Sequence, residues 1–146
     1  MSPKSDTFSA AEKAAMRELA KERKAQARAS QHREAGEADV RAKIADMPEP
    51  DRTLATQIHT LVSHHAPMLW PRTWYGMPAY TLDGKVVCIF QSGQKFATRY
   101  CTLGFQERAM LDDGDMWPTA YAVTDITPAV AAQIIALVHK AVGIVD

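Results

Sequence analysis

The sequence predicts an α+β fold in which helices flank an antiparallel sheet of about four to five strands. Apolar residues recur with a helical period up to about residue 66, with a period of two from residue 73 to about 103, and with a helical period again near the end. Between two of the alternating segments lies Asp83-Gly84, a dipeptide typical of a tight β-hairpin. With 146 residues, the chain is long enough for one domain with its own core.

The N-terminal segment is predicted to form a charged helical arm. The sequence SAAE at residues 9–12 is a capping box, in which Ser and Glu each satisfy a backbone amide of the other. The run that follows is rich in Ala, Lys and Glu and has no Gly or Pro before Gly36. Because its apolar content is mostly alanine, a helix over residues 10–34 would bury little surface. We therefore expect an arm over residues 1–36 and a main domain over 39–143.

The remaining elements follow from periodicity and from stop signals. A second helix is predicted from about Asp39 to Asp46, where Pro48 stops it, and a third begins at Pro50 and ends near Ala66. Strands are predicted at residues 73–82, 85–90, 96–103 and 119–123, and a closing helix begins at Thr127-Pro128.

The stretch RTWYGMPAY, residues 72–80, is unusual within the first predicted strand. A two-residue hairpin loop sets the pairing, so Tyr80 is expected opposite Val87. Proline has no N–H to donate to a ladder, so Pro78 is expected at a sheet edge or a bulge. Because Gly76 fills no space beside it, the stretch is predicted to shape a notch at a sheet edge.

This notch is one candidate binding site. If the third strand pairs as expected, the guanidinium of Arg99 joins the Tyr80 face, and a notch with aromatic walls and one guanidinium suits a small anion or a peptide carboxylate. Alternatively, the aromatic residues belong to the core and Arg99 only covers them. The candidate ligand-binding residues are Trp74, Tyr75, Gly76, Met77, Pro78, Tyr80, Arg99 and Trp117.

A second candidate site is acidic. The segment ERAMLDDGDM supplies Glu107, Asp112, Asp113 and Asp115, and carboxylate oxygens are the ligands that hard iron prefers. The alternative is a structural role, because Asp and Gly in this order also form tight polar turns. The spacing does not match an EF-hand loop.

Composition argues against several classes of protein. Seventeen basic and seventeen acidic residues cancel, so no global field favours nucleic acid or membranes. Basic residues between Lys13 and Arg28 suit phosphates, but without a base-reading motif we do not expect nucleic acid as a partner. The chain has no GxSxG, Walker or GxGxxG motif, and we do not expect an enzyme. No apolar run resembles a membrane span or a secretory signal, and Cys88 and Cys101 form no CxxC, which fits a reducing cytoplasm.

Three segments resemble the YdhG-like family of bacterial domains: WYGMPAY at 74–80, KFATRYCTLGF at 95–105 and MWPTAY at 116–121. The preceding ADMPEPDRTLATQIHTLV is similar to the family's opening helices, so the resemblance covers roughly residues 39–143. It implies a compact α+β domain with an antiparallel sheet. One branch of the family is described as a frataxin-like iron chaperone that delivers iron to cluster and haem assembly. The resemblance thus implies weakly bound iron and iron-cluster or haem assembly proteins as partners, with a small-ligand or partner-binding module as the alternative.

Overall fold

The computed structural model describes residues 8–29 and 31–144, and over these residues the α+β prediction is confirmed. All neighbouring strands are antiparallel, and they follow each other in the sheet in chain order, β1-β2-β3-β4-β5. The elements are α1 (Ala10–Ala29), α2 (Arg33–Ala45), α3 (Asp51–His65), β1 (Trp70–Trp74), β2 (Met77–Leu82), β3 (Lys85–Gln91), β4 (Cys101–Phe105), β5 (Ala120–Val123) and α4 (Pro128–Ala141).

The core lies between one face of the sheet and helices α2, α3 and α4. Tyr80 and Phe90 come from the sheet, whereas Ile58 and Val138 come from α3 and α4, and all four are buried. Each such side chain contributes about 1.5–3 kcal/mol through removal of its apolar surface from water. The apolar stripes predicted for the third and the closing helix are therefore confirmed.

The beginning of α2 differs from the prediction. This helix begins at Arg33 and contains Gly36 in its interior, whereas the sequence predicted a start near Asp39. Gly36 is buried, and a Cβ atom built on it would lie 1.9 Å from the carbonyl oxygen of Pro71. The glycine thus allows α2 to pack closely against β1, although it costs some helix propensity. The predicted arm boundary at residue 36 falls inside α2, and the single helix predicted for residues 10–34 is wrong, because α1 ends at Ala29.

The C-terminal half of α1 lies along the outer edge of β1. The Gln26 side chain donates to the carbonyl of Thr73 at 3.1 Å, and the amide of Gly76 donates to Glu22 at 2.7 Å. These bonds satisfy backbone groups that an edge strand would otherwise leave open to other chains. The capping box is confirmed at the other end of the helix, where Ser9 and Glu12 exchange bonds of 3.0 and 3.1 Å.

The predicted strand over 73–82 is wrong, because it is two strands joined by a turn at Tyr75-Gly76. Both turn residues have positive φ, 49° and 73°. A two-residue hairpin turn requires this conformation when its twist matches the right-handed twist of the two strands. The predicted strand at 96–103 is shorter in the structure, where β4 begins at Cys101 after a loop.

The pairing of β2 and β3 also differs from the prediction. Leu82 pairs with Lys85 as the Asp83-Gly84 turn predicts, but the register shifts between Tyr80 and Thr81, and Tyr80 lies opposite Cys88 instead of Val87. Strand β2 is not an edge strand, yet its ladder with β3 starts only at Ala79. Pro78 lies opposite Thr73 of β1 but precedes the first residue that pairs with β3, so its missing N–H interrupts no ladder bond with β3.

Candidate functional site

A hollow of about 380 Å³ opens beside the β1–β2 turn. We call it the Gly76 hollow. The end of α2, the start of β2 and the loop after β3 form its walls. It is lined by Lys43, Asp46, Met47, Pro48, Gly76, Met77, Pro78, Phe90, Ser92, Gln94, Lys95 and Phe96. Half of these residues are apolar, so the hollow combines an apolar wall with a few polar groups, which is the usual composition of a ligand site.

The turn glycine determines how close a lysine comes to the backbone. The ammonium of Lys95 lies 3.5 Å from the carbonyl oxygen of Gly76, and a Cβ atom on Gly76 would lie 2.5 Å from the same ammonium. The positive φ of Gly76 is a second reason for glycine at this position. Gly76 therefore both permits the turn and leaves room for the Lys95 side chain at the hollow.

The loop wall of the hollow is held by Asp51, a buried residue at the start of α3. Its carboxylate accepts hydrogen bonds from the Ser92 hydroxyl and, at 3.0 Å, from the Gln94 amide. Burial opposes ionisation, but the hydrogen bonds outweigh it and hold the pKa of the Asp51 carboxyl below its usual value. The loop that carries Lys95 is thus anchored to the start of α3.

The charges around the Gly76 hollow favour an anion. Two lysines, Lys43 and Lys95, line it against one carboxylate, Asp46. Neither lysine takes part in an ion pair within residues 8–29 and 31–144. A second hollow of about 520 Å³ continues on the α1 side and shares Lys43, Lys95 and Asp46 with the first. It adds one cation, Lys21, but three carboxylates, those of Glu18, Glu22 and Asp39. The Gly76 hollow is therefore the more positively charged of the two.

The structure brings together only part of the predicted notch. Gly76, Met77 and Pro78 line the Gly76 hollow, and Tyr75 lines the second hollow. The other predicted ligand residues lie elsewhere: Trp74 is half-buried on β1, Tyr80 is in the core, Trp117 packs against the core, and Arg99 is exposed in the loop with its guanidinium 5.2 Å from the Tyr100 ring centre. The prediction that Arg99 shares a strand face with Tyr80 is wrong, because Arg99 precedes β4.

Sequence reasoning did not find the residues that supply the charge of the hollow. Lys43 is at the end of α2 and Lys95 is in the loop after β3, more than fifty residues away along the chain. The pattern QSGQK indicated a loop at this point, but nothing in its spacing indicated that the loop faces α2. A contact of this kind depends on the packing of the helix on the sheet.

Tyr80 takes part in a buried polar network instead of a ligand site. Its hydroxyl lies 2.8 Å from His59 Nδ1, and His59 Nε2 lies 2.7 Å from Glu37 Oε2. Arg41 donates to the same carboxylate. Burial opposes ionisation of Glu37, but the hydrogen bonds and charges of His59 and Arg41 outweigh it and hold the pKa of Glu37 below its usual value. The network connects α2, α3 and β2.

The predicted acidic site is a surface segment between β4 and β5. Glu107, Asp112, Asp113 and Asp115 are all exposed. In the part of the chain that the structure describes, no three His, Cys, Asp or Glu side chains are grouped as a metal site requires. The structure therefore gives these carboxylates no preformed metal geometry.

Comparisons with protein-family models, with curated proteins and with solved structures found no match. Among residues 8–29 and 31–144, every helix is too short or too polar to span a lipid bilayer.

Proposed function

We propose that this protein is a binding module, without catalytic chemistry, that takes a small organic anion in the Gly76 hollow. The observation that carries the proposal is the position of Lys95, whose ammonium lies over a turn glycine at a hollow walled by Met47, Met77 and Phe96. An apolar body would contact these walls, and the negative group would meet Lys95 and Lys43.

The polar groups of the hollow support binding over reaction. Ser92 is buried, and its hydroxyl is committed to Asp51, so it serves to hold the loop. Nucleophilic catalysis requires a hydroxyl or thiol beside a free base. A lysine pair over an apolar wall instead suits recognition of a carboxylate or a phosphate.

Thermal unfolding with a panel of aliphatic and aromatic carboxylates and phosphates tests this proposal. We expect at least one compound to raise the melting temperature, by about 2–4 °C for each kcal/mol of binding free energy. Lys95→Ala and Lys43→Ala are expected to lose this shift, whereas Lys140→Ala on the exposed side of α4 keeps it. If no compound shifts the wild type, or if Lys95→Ala responds like the wild type, the Gly76 hollow is not the site.

Iron delivery is the second candidate function. Its support is the resemblance of the WYGMPAY and MWPTAY segments to a family with a frataxin-like branch, together with the exposed carboxylates between residues 107 and 115. On this proposal the protein is bacterial and cytoplasmic, and its partners are iron-cluster or haem assembly proteins. Two free cysteines fit such a reducing compartment.

Anaerobic calorimetry with Fe(II) tests the iron role. We expect the wild type to bind Fe(II) weakly, with a measurable heat of binding. The variant Asp112→Ala/Asp113→Ala/Asp115→Ala should show no heat of binding, whereas the control Asp83→Ala, in the hairpin turn, should bind like the wild type. An absence of heat in the wild type, or equal heat in the triple variant, removes these carboxylates from consideration.

A further inference from the structure

The edge strand β1 carries a row of aromatic and cationic side chains on the sheet face that points away from the core. Side chains alternate across a strand, so Trp70, Arg72 and Trp74 share one face, and Pro71 and Thr73 are buried on the other. Trp70 is 39% exposed, and Arg72 and Trp74 are half-buried. We call these three residues the β1 row.

Arg72 has no partner of its own within the described part of the chain. Its Nε atom is buried and has no hydrogen-bond acceptor among the described residues. None of the ion pairs within residues 8–29 and 31–144 involves it. Burial lowers the pKa of the Arg72 guanidinium from its ordinary value, because the charge is partly removed from water. An anion from outside the chain would stabilise a cation in this position.

A hollow lies on each side of Arg72. One of about 530 Å³ is lined by Trp70, Arg72 and the carboxylate of Asp83 together with other residues, but among the described residues Asp83 forms no ion pair with Arg72. The other, of about 640 Å³, is lined by Arg72, Trp74, Lys85 and Arg108 together with other residues. In the larger of these two hollows, three cations face one carboxylate, that of Glu107. Each hollow therefore pairs a tryptophan with the same guanidinium, and the larger one is positively charged.

The β1 row places one aromatic ring on each side of one positive charge, an arrangement that suits a ligand in which aromatic rings alternate with negative charges. At about 3.3 Å per residue, the backbone positions of Trp70 and Trp74 are about 13 Å apart, with Arg72 midway. We propose that the β1 row binds single-stranded nucleic acid, with one base stacked on each tryptophan and the intervening phosphates held by Arg72, Lys85 and Arg108. Aromatic stacking beside a positively charged groove is how proteins hold single strands without reading their sequence.

The structure favours this ligand over related ones. A free nucleotide has one base and would use one tryptophan, whereas the β1 row repeats ring, charge and ring. In a duplex the bases are stacked on each other, and their faces are not accessible to a tryptophan. The sequence-based expectation that nucleic acid is not a partner rested on the neutral total charge and on the lack of a motif, and neither observation concerns a local platform of three residues.

Fluorescence anisotropy with a labelled single-stranded oligonucleotide, as DNA and as RNA, tests the proposal on the full chain. We expect binding at about 50 mM salt that weakens as salt rises. Trp70→Leu and Arg72→Lys are each expected to weaken binding about tenfold. The matched controls are Phe8→Leu, an exposed aromatic just before α1, and Arg99→Lys, an exposed arginine beside Tyr100. Arg99→Lys should bind like the wild type, and so should Phe8→Leu, because Phe8 is an exposed aromatic that lines none of the hollows described above.

The salt dependence gives a second readout. For single strands, the slope of the logarithm of affinity against that of salt is about −0.7 for each phosphate contact. Arg72→Leu should therefore reduce the slope by about 0.7, whereas Trp70→Leu should weaken binding without changing the slope. Circular dichroism of each variant confirms that it is folded before binding is measured.

Several results would overturn the proposal. These are no anisotropy change up to about 100 µM protein, equal affinity for a duplex, or a mononucleotide that binds as tightly as the strand. If Trp70→Leu binds the oligonucleotide as tightly as the wild type, but binding disappears when Lys13, Arg17 and Lys24 are changed to Gln, the binding site is on helix α1. A dimer in sedimentation that Trp70→Leu dissociates, without any oligonucleotide binding, would identify the β1 row as a subunit interface.

Discussion

Replacing Tyr80 by Phe separates a core role from a ligand role for this residue. The substitution keeps the ring, which is 1% exposed, and removes only the hydroxyl that lies 2.8 Å from His59 Nδ1. A polar atom that is left buried without its partner costs about 1–3 kcal/mol. We therefore expect Tyr80→Phe to lower the free energy of unfolding by about 1–3 kcal/mol.

The position of His59 explains why the loss is not smaller. An ionised Glu37 can only accept, so His59 Nε2 carries the proton of the 2.7 Å bond between them. The other ring nitrogen, Nδ1, then bonds to the Tyr80 hydroxyl, as an acceptor if the ring is neutral and as a donor if it is charged. Because His59 is buried, water does not readily replace that hydroxyl when it is removed.

Urea unfolding followed by circular dichroism measures the change, and Tyr121→Phe is the matched control. Tyr121 is half-buried with its ring 6.1 Å from that of Phe105, and no described hydrogen bond involves its hydroxyl, so we expect a change below about 0.5 kcal/mol. In a double-mutant cycle with His59→Phe, the two losses should not add, and the discrepancy should be about 1 kcal/mol. If Tyr80→Phe is as stable as the wild type, or if the two losses add, the network does not stabilise the fold. Ligand binding in the Gly76 hollow should be unchanged in Tyr80→Phe.

Four further predictions concern the turn, the loop anchor, the thiols and the arm. Gly76→Val should lower stability by about 1–2 kcal/mol even without ligand, because a β-branched residue resists the positive φ of the turn; urea unfolding measures this, and a neutral result would contradict the turn geometry. The pKa of Asp51 in the folded protein is below its ordinary value of 3.8, so the ionised carboxylate contributes its full stabilisation above that pH and loses it as the pH falls through the folded-state pKa. When the free energy of unfolding is compared between neutral pH and a pH below 3.8, the wild type should therefore lose more stability than Asp51→Asn. Equal losses in the two proteins would contradict the role of Asp51 as the loop anchor. Burial raises the pKa of Cys88 to about 12 and that of Cys101 to about 11, so a thiol reagent should label neither until denaturant is added; rapid labelling of the folded protein would show that a thiol is accessible. Deletion of residues 1–29 should leave a folded domain that is about 1–2 kcal/mol less stable, through loss of two hydrogen bonds to the β1 edge and its turn, and an unfolded circular dichroism spectrum would place α1 in the core.

Turn and capping residues in the sequence correctly predicted a turn and helix ends that depend only on residues close together in the chain. Asp83-Gly84 predicted the β2–β3 turn, at which Leu82 pairs with Lys85. Thr127 caps α4, where its hydroxyl accepts from the amide of Val130 at 3.2 Å. In contrast, the turn at Tyr75-Gly76 was missed, because a tyrosine with positive φ is uncommon and the dipeptide lacks the Asn or Asp that usually indicates such a turn.

The candidate sites were less predictable than the elements. Gly76, Met77 and Pro78 lie together at the Gly76 hollow, because residues next to each other in the chain share a location whatever the fold. Tyr80 and Arg99 do not lie there together, because their predicted proximity assumed a regular β2–β3 register and a third strand from residue 96, whereas Arg99 lies in the loop before β4. The shift between Tyr80 and Thr81 changes that register by one residue, and one residue is enough to move a side chain to the other face of a strand.

The sequence by itself determined the fold class, the helical stripes and the β2–β3 hairpin, since periodicity and turn chemistry act over a few residues. Only the tertiary structure decided that Lys43 meets Lys95 at one hollow and that Glu37, His59 and Tyr80 form one network. It also decided that Arg72 stands between two tryptophans without a partner among the described residues. These arrangements join positions far apart in the chain, and their energies exist only after the helices have packed on the sheet. No local pattern therefore contains them.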